Sequence, residues 1–205
     1  MTREQMLSVE RRTFDRGIPA DALMEGVGAK LARFVTQFFP QPGLLLCYTG
    51  KGHNAGDAFV AARHLAAIGW RVLVRTPYAR EELAALSRDK FDSLHASVLH
   101  GPFRPSTPQD GPLVQLDALV GLGAQGALRE PLASLTREMN ELRRTTGAKT
   151  VAVDFPSGLD PDTGSPGDPC VEADFTVPIA LMPASVFSNS ACGIRITTVP
   201  VSRSL

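Results

Sequence analysis

Three short segments of this sequence carry oxygen-bearing side chains immediately after an apolar run. The first reads Gly50-Lys51-Gly52-His53-Asn54-Ala55-Gly56-Asp57 and follows Leu44 to Thr49. Glycines between a strand and a helix let backbone N–H groups approach an anion, and the helix N-terminus adds favourable partial charge. That chemistry suits a phosphate or a pyrophosphate, although a merely tight turn uses the same glycines. Asn54 also suits a left-handed turn position, and Asp57 the first turn of a helix. No Gly-Lys-Ser/Thr follows, so the loop is not a Walker A motif. The next apolar segment ends in Arg75-Thr76 rather than in an acid for ribose hydroxyls, so the dinucleotide fingerprint is incomplete.

The second segment runs from Asp117 through Val120 and Gly121-Leu122-Gly123-Ala124-Gln125-Gly126-Ala127. Asp117 sits inside an apolar stretch, where a carboxylate must find donors or a cation. Loop amides alone would satisfy it. The third segment is Val153-Asp154-Phe155-Pro156-Ser157-Gly158-Leu159-Asp160. Asp154 emerges from Val151-Ala152-Val153 with a hydroxyl three residues on, a placement that serves acid/base work or metal ligation. Pro156 and Gly158 argue against an immediate helix, which weakens a helix-cap explanation. Together Asn54, Asp57, Asp117, Asp154 and Ser157 form a set of hard donors that suits K⁺, Mg²⁺ or Ca²⁺ rather than zinc. The four histidines form no cluster, and no Gly-x-Ser-x-Gly elbow signals a hydrolase triad.

The intervening elements must bring these loops together. Thr2 with Gln5 fits a capping box for a first helix to about Phe14. A second helix carries Leu23, Val27, Leu31, Phe34, Val35 and Phe38 on one stripe and stops near Pro40 and Pro42. Strands are expected at Leu44–Thr49, Arg71–Arg75, Val98–Leu99, Leu113–Val120, Thr150–Asp154, Phe175–Val177 and Ile194–Val199. Helices are expected at Ala55–Ile68, Ala79–Leu94 and from Pro131 to about Arg144. This alternation predicts one α/β domain over residues 1–205, with a mostly parallel sheet covered on both faces. Ligands in such sheets sit beyond the carboxyl ends of the strands.

Composition narrows the function. The 205 residues hold 21 basic and 21 acidic side chains, which argues against broad binding to nucleic acid or an anionic membrane. The apolar run Leu44-Leu45-Leu46-Cys47-Tyr48 is too short to span a bilayer. Three separated cysteines imply no disulfide framework, and the N-terminal residues lack a secretory or transit pattern. A cytoplasmic protein is expected.

In this order, the segments resemble the YjeF N-terminal domain, the NAD(P)H-hydrate epimerase family. Its Gly-x-Gly-Asn-Asn-Gly-Gly-Asp-Gly loop is similar to Gly50–Ala58, its Asp-Ala-Leu-hydrophobic-Gly-x-Gly segment to Asp117–Gly123, and its Val-Asp-Ile-Pro-Ser-Gly-Leu-Asp segment to Val153–Asp160. Its Ile-Pro-x-x-x-Leu-Met-Glu opening is similar to Ile18–Glu25. The resemblance implies a Rossmann-like three-layer α/β/α sandwich, commonly dimeric. It implies epimerisation of NADH or NADPH hydrated at C6 of the nicotinamide (NADHX or NADPHX), so that an S-specific NAD(P)HX dehydratase on another chain can restore the cofactor. It places one K⁺ per subunit on Asn54, Asp117 and Ser157. Substrate contacts fall on His53, Asn54, Ala55, Gly56 and Asp57, on Gly121, Leu122, Gly123, Ala124, Gln125, Gly126 and Ala127, and on Asp154, which is also the catalytic candidate.

The chain departs from the pattern at several points. His53 stands for an Asn, while Ala55 and Ala58 stand for Gly, each adding a methyl where the family lets ligand or helix come close. Gly26-Val27-Gly28 stands where the family often has Asn-Ala-Gly, and Pro178 to Pro183 lacks the family's lysine. The alternative to an active epimerase is a catalytically divergent nucleotide-binding or scaffold domain on the same fold.

Overall fold

The computed structural model describes residues 19–105, 110–121 and 126–179. The expected helix Thr2–Phe14, the strand Ile194–Val199, and Leu122, Gly123, Ala124 and Gln125 lie outside the described residues. In chain order the elements are α1 (Ala20–Phe38), β1 (Leu44–Thr49), α2 (His53–Ala67), β2 (Arg71–Arg75), a 3₁₀ turn (Arg80–Glu82), α3 (Ala85–Asp92), β3 (Ser97–Leu99), β4 (Leu113–Ala118), α4 (Leu132–Thr146), β5 (Lys149–Val153) and β6 (Phe175–Val177).

All six strands join one parallel sheet in the order β3-β2-β1-β4-β5-β6. The chain works outward from β1 in one direction and then from β4 in the other. The switch point therefore lies between β1 and β4, where Tyr48 faces Asp117 and Thr49 faces Ala118 in register. β1 is buried along its whole length, as its unbroken Leu-Leu-Leu-Cys-Tyr-Thr run requires of a strand covered on both faces. Its side chains alternate between two cores. Leu45 and Cys47 join Leu31, Phe34 and Val35 of α1 and Phe59, Ala62 and Leu65 of α2, whereas Leu44, Leu46 and Tyr48 join Leu135, Met139 and Leu142 of α4. The result is the three-layer α/β/α arrangement expected from the alternating pattern.

α2 is the central helix of its layer, and every residue from Asn54 to Ala62 is buried. Its small residues permit this. At Gly28 of α1 an added Cβ would stand 2.4 Å from the Val60 side chain, so the two helices meet almost backbone to backbone. Glu25 of α1 pairs with Arg63 of α2 at 2.6 Å and with Lys90 of α3 at 2.7 Å, and Lys90 also pairs with Asp21. The Lys90 side chain is only 8% exposed, so these charges close the layer at one edge.

Some boundaries differ from the sequence expectation. The helix expected over Ala79–Leu94 is broken, because Leu83 and Ala84 adopt extended ψ angles of 143° between the 3₁₀ turn and α3. β4 ends at Ala118 rather than Val120, and β5 ends at Val153, leaving Asp154 in a turn. α2 begins at His53, two residues earlier than expected.

The helix contact predicts a contrast between neighbouring glycines. Gly28→Ala forces a methyl against Val60 and should destabilise the fold by about 1–3 kcal/mol, as overpacking typically does. Gly26→Ala meets nothing within 4 Å on the exposed side of the same helix. It should stabilise by about 0.5–1 kcal/mol through backbone entropy. Urea denaturation midpoints of the two variants would check both signs.

Candidate functional site

The loops that follow β1, β4 and β5 meet around Asp117. Its carboxylate is fully enclosed, and no salt bridge among the described residues reaches it. Its Oδ2 accepts the Ser157 N–H at 2.7 Å, and its Oδ1 accepts the Ser157 hydroxyl at 2.6 Å and the Leu119 N–H at 3.3 Å. The Ser157 hydroxyl accepts the Val120 N–H at 3.1 Å in turn. Burial without a counter-charge pushes the Asp117 carboxyl up to about 6, against the lowering effect of the Ser157 and Leu119 bonds.

Asn54, in the first turn of α2, closes the third side. Its amide Nδ2 donates to the Val120 carbonyl at 3.1 Å and to the Val153 carbonyl at 3.2 Å, so one side chain ties the β4 and β5 loops to the helix. That orientation leaves the amide oxygen Oδ1 buried with no hydrogen-bond donor among the described residues. An orphaned Asn54 oxygen and an Asp117 carboxylate without a salt bridge, linked through the Val120 backbone and Ser157, are donor types that suit a hard cation. Among the described residues no three His, Cys, Asp or Glu side chains cluster in a way that could hold a metal, so a transition-metal centre has no ligand set here. Neutral oxygens plus one carboxylate fit a weakly charged ion better.

Asp154 stands at the end of β5 with φ 67°, and no other described non-glycine residue has positive φ. The Phe155 N–H donates to the Val153 carbonyl at 2.8 Å, two residues back, which closes a three-residue γ-turn centred on Asp154. Such a conformation costs of the order of 1–3 kcal/mol and persists only where neighbours enforce it. Here the Asp154 N–H is held by the Val177 carbonyl at 2.9 Å, and its Oδ1 accepts the Ile179 N–H at 3.2 Å. The turn redirects a nearly buried carboxylate at the carboxyl edge of the sheet, one residue beyond the carbonyl that Asn54 grips.

The sequence profile of the YjeF-related protein N-terminus matches residues 20–184. The chain belongs to this family. A protein of Pyrobaculum aerophilum named bifunctional NAD(P)H-hydrate repair enzyme Nnr is 39% identical over 85% of this chain and 36% of its own length. A protein of Cenarchaeum symbiosum named NAD(P)H-hydrate epimerase is 37% identical over 85% of this chain and 81% of its own. The chain thus spans about a third of the bifunctional relative and about four-fifths of the shorter one. A crystal structure of the yeast protein ynu0 superposes with a TM-score of 0.78 over 96% of this chain and 86% of its own, at 21% identity, which establishes the shared fold.

In this YjeF-related domain the remaining expected site residues fall in different places. His53 is exposed at the start of α2, and Asp57 is buried one turn along. Ala55 is fully enclosed in the apolar core, and Gly56 faces Met24 of α1, so neither presents a side to the loop mouth. Gly121 lies against Asn54, while Gly126 and Ala127 are exposed. Reading the sequence missed the Val120 and Val153 carbonyls, which belong to the site through their backbone and leave no trace in residue type. At the end of β1 the buried Thr49 hydroxyl also has no hydrogen-bond partner among the described residues.

The Asp117 environment predicts a pH dependence with a definite sign. The folded-state value of about 6 lies above an unfolded value of about 3.9. The folded state therefore holds more protons between those values, and its stability falls as pH rises from about 4 to about 6. Thermal unfolding of parent and Asp117→Asn in potassium-free buffer would check this, since the variant should lose that component of the slope.

Proposed function

We propose that this chain is an NAD(P)H-hydrate epimerase that interconverts the R and S forms of C6-hydrated NADH and NADPH. The observation that carries the reading is the meeting of Asn54, Asp117 and Ser157 at the Val120 backbone, beside the strained Asp154. The relative of Cenarchaeum symbiosum, matched over most of its length, is named for this activity.

The hydrate carbon bears a hydroxyl and the ring nitrogen. Loss of the hydroxyl as water leaves a delocalised iminium, and addition of water to the opposite face inverts the centre. Asp154 gives the proton to the departing hydroxyl and takes one from the attacking water, so the residue returns to its starting state. Enforcing the γ-turn keeps its carboxylate in one orientation for both steps. Backbone N–H groups at the start of α2 hold the pyrophosphate. Asn54 Oδ1, the Asp117 carboxylate and the Ser157 hydroxyl would hold one K⁺, which would supply positive charge against buried Asp117 and keep the loops in register. The S-hydrate then passes to a dehydratase on another chain; relatives matched over about a third of their length are named bifunctional NAD(P)H-hydrate repair enzymes.

The direct test incubates the purified protein with isolated R-hydrate and follows the S-hydrate by chromatography. Conversion no faster than the spontaneous rate would leave the divergent-domain reading in its place. Asp154→Asn keeps size and tolerance of the left-handed backbone but cannot transfer a proton. It should lower the epimerisation rate by about 10²–10⁴-fold with little change in thermal stability or nucleotide binding. Replacing K⁺ by tetramethylammonium should lower the thermal midpoint of the parent and leave that of Asp117→Ala unmoved, a readout independent of turnover.

A further inference from the structure

The break between the 3₁₀ turn and α3 has a specific consequence for the glycine-rich loop. Freed from a continuous helix, the Ala84 N–H donates to the Lys51 carbonyl at 2.8 Å. Three residues on, the fully buried Ser87 hydroxyl donates to the Gly52 carbonyl at 2.9 Å. The Lys51 ammonium lies over the Tyr78 ring, 5.2 Å from its centroid, so the same segment holds the loop's cation as well. One side of the loop is therefore fastened to residues 78–87 at three points.

Peptide planarity turns this into an orientation. In a trans peptide the N–H points opposite the C=O. Neither the Lys51–Gly52 nor the Gly52–His53 peptide is cis. Drawing the Lys51 and Gly52 carbonyls toward α3 consequently aims the Gly52 and His53 N–H groups the other way. Gly52 and His53 are both exposed, and a Cβ built on Gly52 would meet nothing within 4 Å. The Gly52 carbonyl also accepts the Ala55 N–H at 3.2 Å, which starts the helical turn carrying Asn54 and its orphaned buried Oδ1. The Ser87 hydroxyl thus acts on the direction of the His53 amide, and the Ala84 N–H on that of the Gly52 amide.

We propose that Ser87, acting with the Ala84 amide, is a positioning residue that aims the Gly52 and His53 N–H groups at the diphosphate of the substrate. This rests on the epimerase reading for the identity of the substrate, but not for the geometry of the amides. Ser87→Ala leaves the Gly52 carbonyl still bonded to Ala55, so the fold should survive while the His53 amide loses the stronger of the two bonds that fix its direction.

The test uses inorganic pyrophosphate as a calorimetric probe on the full chain, together with steady-state kinetics on the hydrate. Ser87→Ala should weaken pyrophosphate binding and raise KM by about 5–10-fold, the scale of one misdirected charge-assisted hydrogen bond. The kcat at saturation and the K⁺ concentration for half-maximal effect should be unchanged, a split that general loosening would not produce. Ala84→Pro provides a second variant. Ala84 has φ −53° and Leu83 ψ 143°, both compatible with proline, yet the donor to Lys51 disappears. It should show the same split. Pyrophosphate affinity and KM equal to the parent in both variants would overturn the proposal. A parent that binds pyrophosphate but fails to epimerise would refute the epimerase reading and leave the positioning role standing. A parent that epimerises yet binds no pyrophosphate would refute the role alone.

Discussion

A fully buried carboxylate with no salt bridge among the described residues must be surrounded by donors, and Asp117 obtains them from other parts of the chain. Ser157 supplies two of its three hydrogen bonds from across the β4–β5 boundary, and the Ser157 hydroxyl in turn satisfies the Val120 amide. Asn54 then captures the Val120 carbonyl from the side of α2. Each loop is thus held by a polar group that would be costly to leave unpaired in the interior. The three segments do not converge because they attract one another through apolar contact. They converge because the charge of one is satisfied by the backbone and hydroxyl of the next.

That arrangement needs a scaffold in which the three strand ends lie side by side. Parallel strands deliver it, since the carboxyl ends of β1, β4 and β5 fall on one edge, and the reversal of strand order between β1 and β4 opens the crevice there. α2 must then start directly above the crevice and remain close to the sheet. Its small residues and the contact of Gly28 with Val60 allow this, and Gly50 permits the preceding turn to approach β4, where a Cβ would stand 2.0 Å from the Leu119 carbonyl. The packing of the helical layer and the position of Asn54 are therefore one constraint rather than two.

Much of this was legible in the sequence, for identifiable reasons. β1, β2 and β6 have the boundaries expected, because buried strands flanked by Gly or Pro have sharp limits in residue type. The side chains Asn54, Asp117, Ser157 and Asp154 stood out because polar groups after apolar runs require an explanation. The break at Leu83–Ala84 did not, since both residues suit a helix and the extended form is held by tertiary contacts, burial of Leu83 and the bond from Ala84 to Lys51. The γ-turn at Asp154 and the carbonyl contributions of Val120 and Val153 were likewise hidden, being set by backbone geometry that neighbours impose.

The departures from the family's glycine-rich loop take on a different weight once their surroundings are known. Ala55 and Ala58 are fully buried among the apolar residues of the layer formed by α1 and α2. Their methyl groups fill core volume and add no bulk at the loop mouth, and alanine also favours the helix more than glycine does. His53 is the exception, because it is exposed beside the amides that Ser87 and Ala84 orient. What looked like three separate erosions of a ligand-binding loop is therefore two packing substitutions and one change of polar side chain. The acceptors and donors that hold the loops together involve neither alanine side chain. Of the three departures only His53 changes the exposed surface of the loop, while the polar centre around Asp117 is held by Ser157, Leu119 and, through the Val120 carbonyl, Asn54.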